Sequence, residues 1–458
     1  MEKHHHHERS TFSGKLGFVL SAAGASVGLG NIWRFPYLAA KYGGGIFLLI
    51  YIILALTFGY SMIIAETALG RMTRKSPVGA FGKFGKSKWL SFGGWINAVI
   101  PILIVPYYSV IGGWVIKYLI EYVKGNSQKL AEDGYFSAFI SDGTSTEICF
   151  LVFALLTLAI IFAGVRNGVE RVSKFMMPIL VFLSVLIAIY SVTRPGALAG
   201  VKYFLVPNPA NFSWMTVVAA MGQMFYSLSI AMGILVTFGS YMKRDVSIEG
   251  STTNVEIFDT AIAIMAGLMI IPAVFAFSGG DPDTLQAGPA LMFITIPKVF
   301  ANMGFGTSIG IIFFLLVLMA ALTSSIALTE SAVSTFQDEL RWPRKGATVI
   351  VGIIMVILGS LSSLGYGPLA FVKIIGMQFL DFFDFLTNSV MMPIAAFATC
   401  ILISRVIGVG KIEEEVEADG GSFKRKKVFR FMIRYLCPIF TVIILLSSVA
   451  NAFGWISM

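Results

Sequence analysis

The chain has 458 residues, of which 56% are hydrophobic and only 13% are charged. Soluble domains carry about 25% charged residues, so this composition excludes a soluble globular protein and indicates a membrane protein with many spans. The net charge of +9 does not indicate nucleic-acid binding, because most Lys and Arg residues fall on one side of the predicted membrane. This positive-inside bias places the N-terminus in the cytoplasm.

Eleven apolar segments approach or exceed the roughly 20 residues that a membrane-spanning helix needs. We therefore predict an all-α membrane protein of about 11 transmembrane helices in the cell membrane. An odd number of spans puts the C-terminus outside. The connecting segments are too short for a soluble enzyme domain, and no nucleophile–base arrangement indicates an enzyme. The predicted spans are residues 15–40, 45–70, 91–123, 147–165, 168–193, 213–242, 252–278, 306–338, 346–363, 369–404 and 428–454.

The first span is interrupted at residues 24–37, which read GASVGLGNIWRFPY. Glycines and a proline weaken the helix, and Asn31 and Arg34 are polar where hydrocarbon is expected. Unpaired backbone groups are costly in lipid, so the freed carbonyls and amides must face protein, an ion or a substrate. Such a break is typical of secondary transporters with a site near the bilayer midplane. A glycine-rich packing face is the alternative.

The sixth span has a second interruption, SLSIAMG at residues 227–233. It opens a second block of five spans, and because five is odd this block enters the membrane in the opposite orientation. The order predicts a 5+5 inverted repeat with broken helices 1 and 6. The predicted parts are a cytoplasmic N-terminal segment at 1–14, a first repeat at 15–193, an inverted repeat at 213–404 and an eleventh helix at 428–454.

Polar groups within other spans are further candidates. The hydroxyls of Thr323 and Ser324 either bond to their own helix or complete an oxygen cage with carbonyls of the first break. Charged groups inside a membrane are costly and functional by default. Acidic residues of this kind are Glu66, Asp259, Glu330 and Asp384. Each is expected to face a cavity, a cation or a donor, although Glu330 could equally face the inner water layer, and Asp384 could form a gate pair with Arg34.

Two connecting segments carry their own predictions. Residues 279–304 favour a re-entrant or surface hairpin over a span, and residues 406–427 predict a flexible inner loop. The cysteines fit buried apolar positions better than disulfides or metal sites. The histidine run at 4–7 is typical of a tag remnant.

Several motifs together resemble one known family, the neurotransmitter:sodium symporters. The resemblance covers nearly the whole chain, and the absence of a twelfth span is typical of its short prokaryotic amino-acid transporters. The matching stretches are Arg9, KLGF at 15–18, GLGNIWRFPY at 28–37, GGGIF at 43–47, LTSS at 322–325, DEL at 338–340 and the break in the sixth span.

The resemblance implies two Na⁺ sites, a substrate pocket between the breaks, and two gates. One sodium site would use the carbonyls of Gly24, Val27 and Ala320 with the hydroxyls of Thr323 and Ser324. The other would use Ser26, Asn31, Ser227, Asp259 and the substrate carboxylate. The pocket would be lined by Ala25, Gly28, Gly30, Ile104, Tyr108, Tyr226, Ser227, Ser229, Met232, Ser324 and Leu328. The outer gate would be Arg34 with Asp384 and the ring of Tyr226, and the inner gate Arg9 with Asp338, backed by Tyr241.

The resemblance implies a sodium-coupled symporter that imports neutral hydrophobic or aromatic L-amino acids. Amine carriers of the family place an Asp at the position of Gly28, so a biogenic-amine carrier is disfavoured. An amino-acid-gated channel or a non-transporting sensor on the same fold is the alternative of another class.

Four positions depart from the family pattern. Phe12 replaces a common Trp, and Met232 replaces an aromatic residue. Asp259 stands where the leucine-type member has Asn, and Ala263 where that member has Glu. Because Asp259 lies one turn before Ala263 and can supply the missing negative charge, we expect that chloride is not required.

Overall fold

The structure is a computed structural model that describes residues 9–281 and 288–456. The histidine run, the first part of the predicted N-terminal segment and part of the predicted hairpin at 279–304 lie outside the described residues. Within the described part, β-structure is limited to one isolated bridge between Ile374 and Met377. The protein is thus all-α, as predicted.

Within the described residues, nine unbroken helices are long and apolar enough to cross a membrane, and one bent helix pair, Lys15–Ser26 with Gly30–Lys41, passes the same test. Two shorter helices, Trp214–Ser227 and Ile234–Ser240, lie on either side of the second break. This agrees with the predicted number of about 11 spans. In chain order the helices that form the predicted spans are α1 (Lys15–Ser26), α2 (Gly30–Lys41), α3 (Gly45–Thr73), α4 (Lys88–Val123), α5 (Gly143–Phe162), α6 (Val165–Val192), α7 (Trp214–Ser227), α8 (Ile234–Ser240), α9 (Ile248–Ser278), α10 (Gly306–Leu340), α11 (Arg344–Leu364), α12 (Phe379–Ile407) and α13 (Lys426–Ala452).

Both predicted breaks are present. The axes of α1 and α2 differ by 55°, and α1 ends because Val27 is extended, with φ −77° and ψ 93°. Between α7 and α8, the φ values of Ser229, Ala231 and Gly233 are 54°, 60° and 70°. This left-handed backbone cannot continue a helix, and at a non-glycine residue it costs about 1–3 kcal/mol. The surrounding packing must therefore hold the break in place.

The two breaks meet at the centre of the bundle, where the Ser229 hydroxyl donates to the Ala25 carbonyl at 3.1 Å. Close packing of α3 on α8 supports this arrangement from one side. A Cβ added to Gly70 would lie 2.0 Å from the Val236 carbonyl oxygen, and one added to Gly239 would lie 2.3 Å from that of Thr67. These two glycines let the backbones of α3 and α8 touch.

One predicted boundary and one predicted loop are wrong. The tenth span was expected to begin at residue 369, but α12 begins at Phe379, because left-handed residues at Ile375 (φ 52°) and Gly376 (φ 78°) make a tight turn before it. The predicted flexible loop at 406–427 contains a helix at Val409–Val416. That helix is fastened to the end of α3, where Arg71 bonds the Glu415 carboxylate at 2.7 Å.

Candidate functional site

A buried cavity of about 30 Å³ lies between the two breaks. Residues of α4 and α10 complete its walls. Every residue that the sequence predicts for the pocket lines this cavity, although the binding role of each stays a prediction. Sequence reasoning missed Leu29 and Ile234. Both carry a readable signal, because Leu29 stands between two glycines of the first break and Ile234 directly follows Gly233.

The polar end of the cavity is formed at the first break. The Leu29 amide donates to the Tyr108 hydroxyl at 3.4 Å, and the Asn31 amide, in the first turn of α2, donates to the Gly28 carbonyl at 3.2 Å. Amides at a helix N-terminus suit a carboxylate. A Cβ added to Gly28 would lie 2.7 Å from Ser324 Oγ and 3.0 Å from the Tyr108 oxygen. A glycine at this position keeps the approach to the amides open.

The first oxygen cluster lies where α1 ends against α10, and it gathers the predicted ligands Gly24, Val27, Ala320, Thr323 and Ser324. Ser324 Oγ lies 3.2 Å from the Gly24 carbonyl oxygen and 3.4 Å from that of Val27. Thr323 Oγ1 donates to the Ala320 carbonyl at 3.1 Å. Each of the two predicted alternatives applies to one hydroxyl. The Thr323 hydroxyl bonds its own helix, and the Ser324 hydroxyl bonds carbonyls of the first break.

The second oxygen cluster is centred on Asp259, which is fully buried. Its carboxylate accepts from Asn31 Nδ2 at 2.9 Å, from Ser227 Oγ at 2.9 Å and from the Tyr51 hydroxyl at 3.1 Å. Ser26, by contrast, donates its hydroxyl within its own helix. The bonding partners of Asp259 among the described residues are all neutral, so a cation would supply the missing countercharge. Unwound backbone and carboxylate oxygens of this kind suit Na⁺.

One face of the protein is closed by the predicted inner gate. We call it the N-terminal face and define it by Arg9, Ser240, Ser334 and Asp338. Arg9 Nη1 lies 2.5 Å from Asp338 Oδ1, and its other nitrogens donate to the two serine hydroxyls at 2.8–3.0 Å. The Tyr241 ring lies 5.0 Å from the guanidinium carbon. The segment before α1 is therefore bound to α8 and to α10 on this side of the cavity.

The other buried acidic residues also have partners. Glu330 is fully buried, accepts from the Tyr241 hydroxyl at 2.7 Å and pairs with Arg344 at 2.5 Å, so it does not face the inner water layer. Glu66 accepts from the Ala231 amide at 2.8 Å and so supports the left-handed backbone of the second break. All three partners lie on other helices or loops, and the sequence alone does not show which of them meets which carboxylate.

The opposite face contains a vestibule of about 330 Å³ that reaches down to Tyr226. Arg34 and Asp384 both line it, but the structure does not form the predicted ion pair between them. The Arg34 guanidinium lies 5.3 Å from the centre of the Tyr226 ring. The Asp384 carboxylate accepts instead from the Tyr107 hydroxyl at 3.2 Å and from Asn388 Nδ2 at 2.5 Å. The two faces of the protein are therefore closed to different degrees.

Two interrupted helices that meet at a central cavity, with oxygen clusters beside it and a closed and an open face, define a secondary transporter. The family profile described as "Sodium:neurotransmitter symporter family" matches residues 9–131 and 136–454. The chain belongs to this family, as the motifs predicted, and its function is sodium-coupled transport across a membrane.

Relatives and a solved structure agree with this assignment. The chain is 34% identical over 445 residues to the uncharacterized sodium-dependent transporter YhdH of Bacillus subtilis, covering 96% of this chain and 97% of the relative. It is 32% identical over 461 residues to an uncharacterized sodium-dependent transporter of Haemophilus influenzae, covering 97% and 99%. The fold matches the crystal structure of MhsT in complex with L-phenylalanine with a TM-score of 0.85 and 35% identity, covering 96% of this chain and 100% of that one.

Proposed function

We propose that the protein imports a neutral, hydrophobic or aromatic L-amino acid together with sodium. The observation that carries this proposal is the cavity, which has amides and a phenol at one end and no charged side chain among its described lining residues. The apolar walls include Ile104, Met232 and Leu328. Because Met232 is unbranched and adaptable, one pocket can accept several side-chain shapes. The complex of MhsT with L-phenylalanine supports an amino-acid substrate.

The rival functions fit the geometry less well. A biogenic-amine carrier would need an acidic side chain at the position of Gly28, and the neighbouring Ser324 and Tyr108 oxygens leave no room for one. An open channel would need both faces to admit water together, whereas the N-terminal face is held by the Arg9–Asp338 pair.

Two Na⁺ ions fit the two oxygen clusters. The cluster of Gly24, Val27, Ala320, Thr323 and Ser324 supplies only neutral oxygens, so it would hold a monovalent cation without a fixed countercharge. The cluster of Asn31, Ser227 and Asp259 supplies a carboxylate and lies beside the polar end of the cavity, where a substrate carboxylate would add a second negative charge. Because the substrate carboxylate would lie next to the sodium ion of the second cluster, the binding of substrate and the binding of sodium would be coupled.

Alternating access would follow from the two gates. The positive-inside bias assigns the N-terminal face to the cytoplasm and the vestibule to the outside, with Arg9–Asp338 as the inner gate. The outer gate would close when Arg34 moves from Tyr226 toward Asp384. Each charge that enters with the membrane potential gains about 2.3 kcal/mol per 100 mV, which drives accumulation of the substrate.

Uptake into proteoliposomes tests the proposal. Labelled L-phenylalanine or L-leucine should accumulate against its gradient when Na⁺ is high outside, and should only equilibrate slowly when K⁺ replaces Na⁺. Unlabelled Trp, Tyr, Phe and Leu should compete better than Lys or Asp. Strongest competition by a charged amino acid would refute the pocket assignment, and accumulation that ignores Na⁺ would refute the coupling.

A further inference from the structure

A buried carboxylate near the N-terminal face has no part in the function proposed so far. Glu170, in the first two turns of α6, is 1% exposed. Its Oε2 accepts the Ser13 amide at 2.9 Å, and its Oε1 accepts the Ser13 hydroxyl. Lys174 Nζ lies 2.6 Å from Glu170 Oε1 and 2.9 Å from Ser13 Oγ. The chain just before α1 is therefore bound to α6 by a charged group.

The same carboxylate also presses against α1 itself. A Cβ added to Gly17 would lie 2.4 Å from Glu170 Oε1, so only a glycine in the first turn of α1 permits this contact. The Ser13 carbonyl accepts a further bond from Lys243 Nζ at 3.3 Å. Ser13 thus joins α6 to the loop that follows α8, at a point separate from the Arg9–Asp338 pair.

The face of α6 that carries Glu170 continues toward the first oxygen cluster. Positions 170, 173 and 177 are spaced three and four residues apart and so lie on one side of the helix. Ser173 Oγ and Met177 Sδ lie 3.6 Å and 3.4 Å from the place of a Cβ on Gly24. Separation of α1 from α6 at Ser13 would therefore expose the Gly24 end of that cluster to the N-terminal face.

We propose that Glu170 is a positioning residue that acts as a second inner latch: its bonds to Ser13 hold α1 against α6, and their release opens the sodium cluster at Gly24 toward the N-terminal face. The inference rests on the alternating-access function proposed above. It adds a requirement, because the breaking of Arg9–Asp338 alone leaves α1 fastened at Ser13.

Substitutions of Ser13, the exposed partner of Glu170, test the latch without changing the buried carboxylate. Ser13→Ala removes one hydrogen bond to a charged group, which corresponds to on the order of a tenfold shift of an equilibrium. Ser13→Thr keeps the hydroxyl. Ser10→Ala is the matched control, since Ser10 is exposed in the same segment and its hydroxyl has no hydrogen bond among the described residues. Glu170→Gln keeps the shape of the side chain and removes its charge.

The substitution Ser173→Cys, in a Cys149→Ala background, reports the opening of α1 from α6. In Na⁺ without substrate, Ser13→Ala and Glu170→Gln should raise the rate of thiol labelling of that cysteine roughly tenfold, whereas Ser13→Thr and Ser10→Ala should label at the rate of the parent. Hydrogen exchange of the amides of α1 gives a second measurement that needs no reporter cysteine. It should be faster in Ser13→Ala and Glu170→Gln than in Ser13→Thr, Ser10→Ala and the parent.

Equal labelling and exchange for Ser13→Ala and Ser10→Ala would overturn the latch, as would a Ser13→Thr variant that opens as fast as Ser13→Ala. Failure of the latch is distinguishable from failure of the proposed function. If the parent protein accumulates substrate with Na⁺ while these variants open no faster, only the latch is refuted. If the parent shows no Na⁺-dependent accumulation, the transport proposal itself is refuted.

Discussion

Gly28 restricts the ligands that the cavity can hold. Gly28→Ala would place a Cβ 2.7 Å from Ser324 Oγ and 3.0 Å from the Tyr108 oxygen, and overpacking of this kind costs about 1–3 kcal/mol. We expect substrate affinity to fall roughly tenfold or more, as measured by equilibrium binding in saturating Na⁺. Gly410→Ala is a suitable control, since nothing lies within 4 Å of its added Cβ. Equal affinities of the two variants would show that the substrate does not use the first break.

The hydroxyls of Thr323 and Ser324 test the first oxygen cluster. Thr323→Ala combined with Ser324→Ala removes two oxygens from a buried site, and each lost ligand costs about 1–3 kcal/mol. We expect Na⁺-dependent binding to disappear at ordinary sodium concentrations. Ser308→Ala removes an exposed hydroxyl from the start of the same helix and should leave the Na⁺ titration unchanged. An unchanged Na⁺ titration in the double variant would exclude a sodium ion at this cluster.

Single residues differ in how far the sequence reveals their environment. Gly28, Thr323 and Asp259 were readable because a glycine, a hydroxyl or a charge inside an apolar span breaks a local rule. The partners of Glu170 and Glu330 were not readable. Ser13 lies 157 residues from Glu170, and only the packing of whole helices decides which donors meet a carboxylate.

At the scale of elements, the helix at Val409–Val416 gives a test of stability. The Arg71 side chain is fully buried, bonds the Glu415 carboxylate, and donates to the Val246 carbonyl at 2.6 Å. Arg71→Ala leaves these acceptors unpaired, and breaking such a pair costs about 3–5 kcal/mol. We expect the midpoint of thermal unfolding in detergent to fall by several degrees.

The matched control for that change is Lys411→Ala, which alters an exposed charge on the same helix. Surface substitutions of this kind usually change stability by less than about 0.5 kcal/mol. If Arg71→Ala unfolds at the same temperature as Lys411→Ala, the helix does not stabilise the protein through its bond to α3.

The sequence predicted an element correctly where the composition of the segment itself defines it. It failed where the limits of a helix depend on contacts with other parts of the chain. The breaks at 24–37 and 227–233 contain their own glycines and polar groups, so their positions were visible. Residues 369–378 are as apolar as a helix, yet left-handed residues at Ile375 and Gly376 turn the chain. The charges at 406–427 resemble a solvated loop, but buried Arg71 gives part of it a docking partner.

At the scale of the whole molecule, the two faces are held by different kinds of contact. The N-terminal face is fastened by the Arg9–Asp338 ion pair, and close to it Glu330 pairs with Arg344 and Glu170 accepts a hydrogen bond from the Ser13 amide. The vestibule leads to the Tyr226 ring, with Arg34 stacked on it. Breaking several charged contacts together requires compensation, so we expect that the free energy of ion and substrate binding is needed to open the N-terminal face.

Charge balance across the molecule leads to a prediction about chloride. The family resemblance implies that a chloride ion, where one is required, would lie at the positions of Tyr51, Gln223 and Ser227. Here the Tyr51 and Ser227 hydroxyls donate to Asp259, and the Gln223 amide donates to the Gly30 carbonyl at 3.1 Å. The donors for an anion are therefore engaged by the protein's own oxygens. Two Na⁺ ions nearby would favour the ionised form of Asp259, which can act as ligand and fixed countercharge together.

We therefore expect transport without chloride. Uptake should be unchanged when gluconate replaces chloride, and Asp259→Asn should make it depend on chloride, because the amide keeps an oxygen ligand but removes the charge and frees the Tyr51 and Ser227 hydroxyls. If Asp259 served only as a sodium ligand, chloride would already be needed by the unmodified protein, and substrate uptake would fail in gluconate.

The double variant Ala263→Glu with Asp259→Asn restores a negative charge one turn along the same helix and should remove the chloride requirement again. Rescue by this second carboxylate would show that the position of the charge, rather than the identity of its carrier, balances the sodium ions.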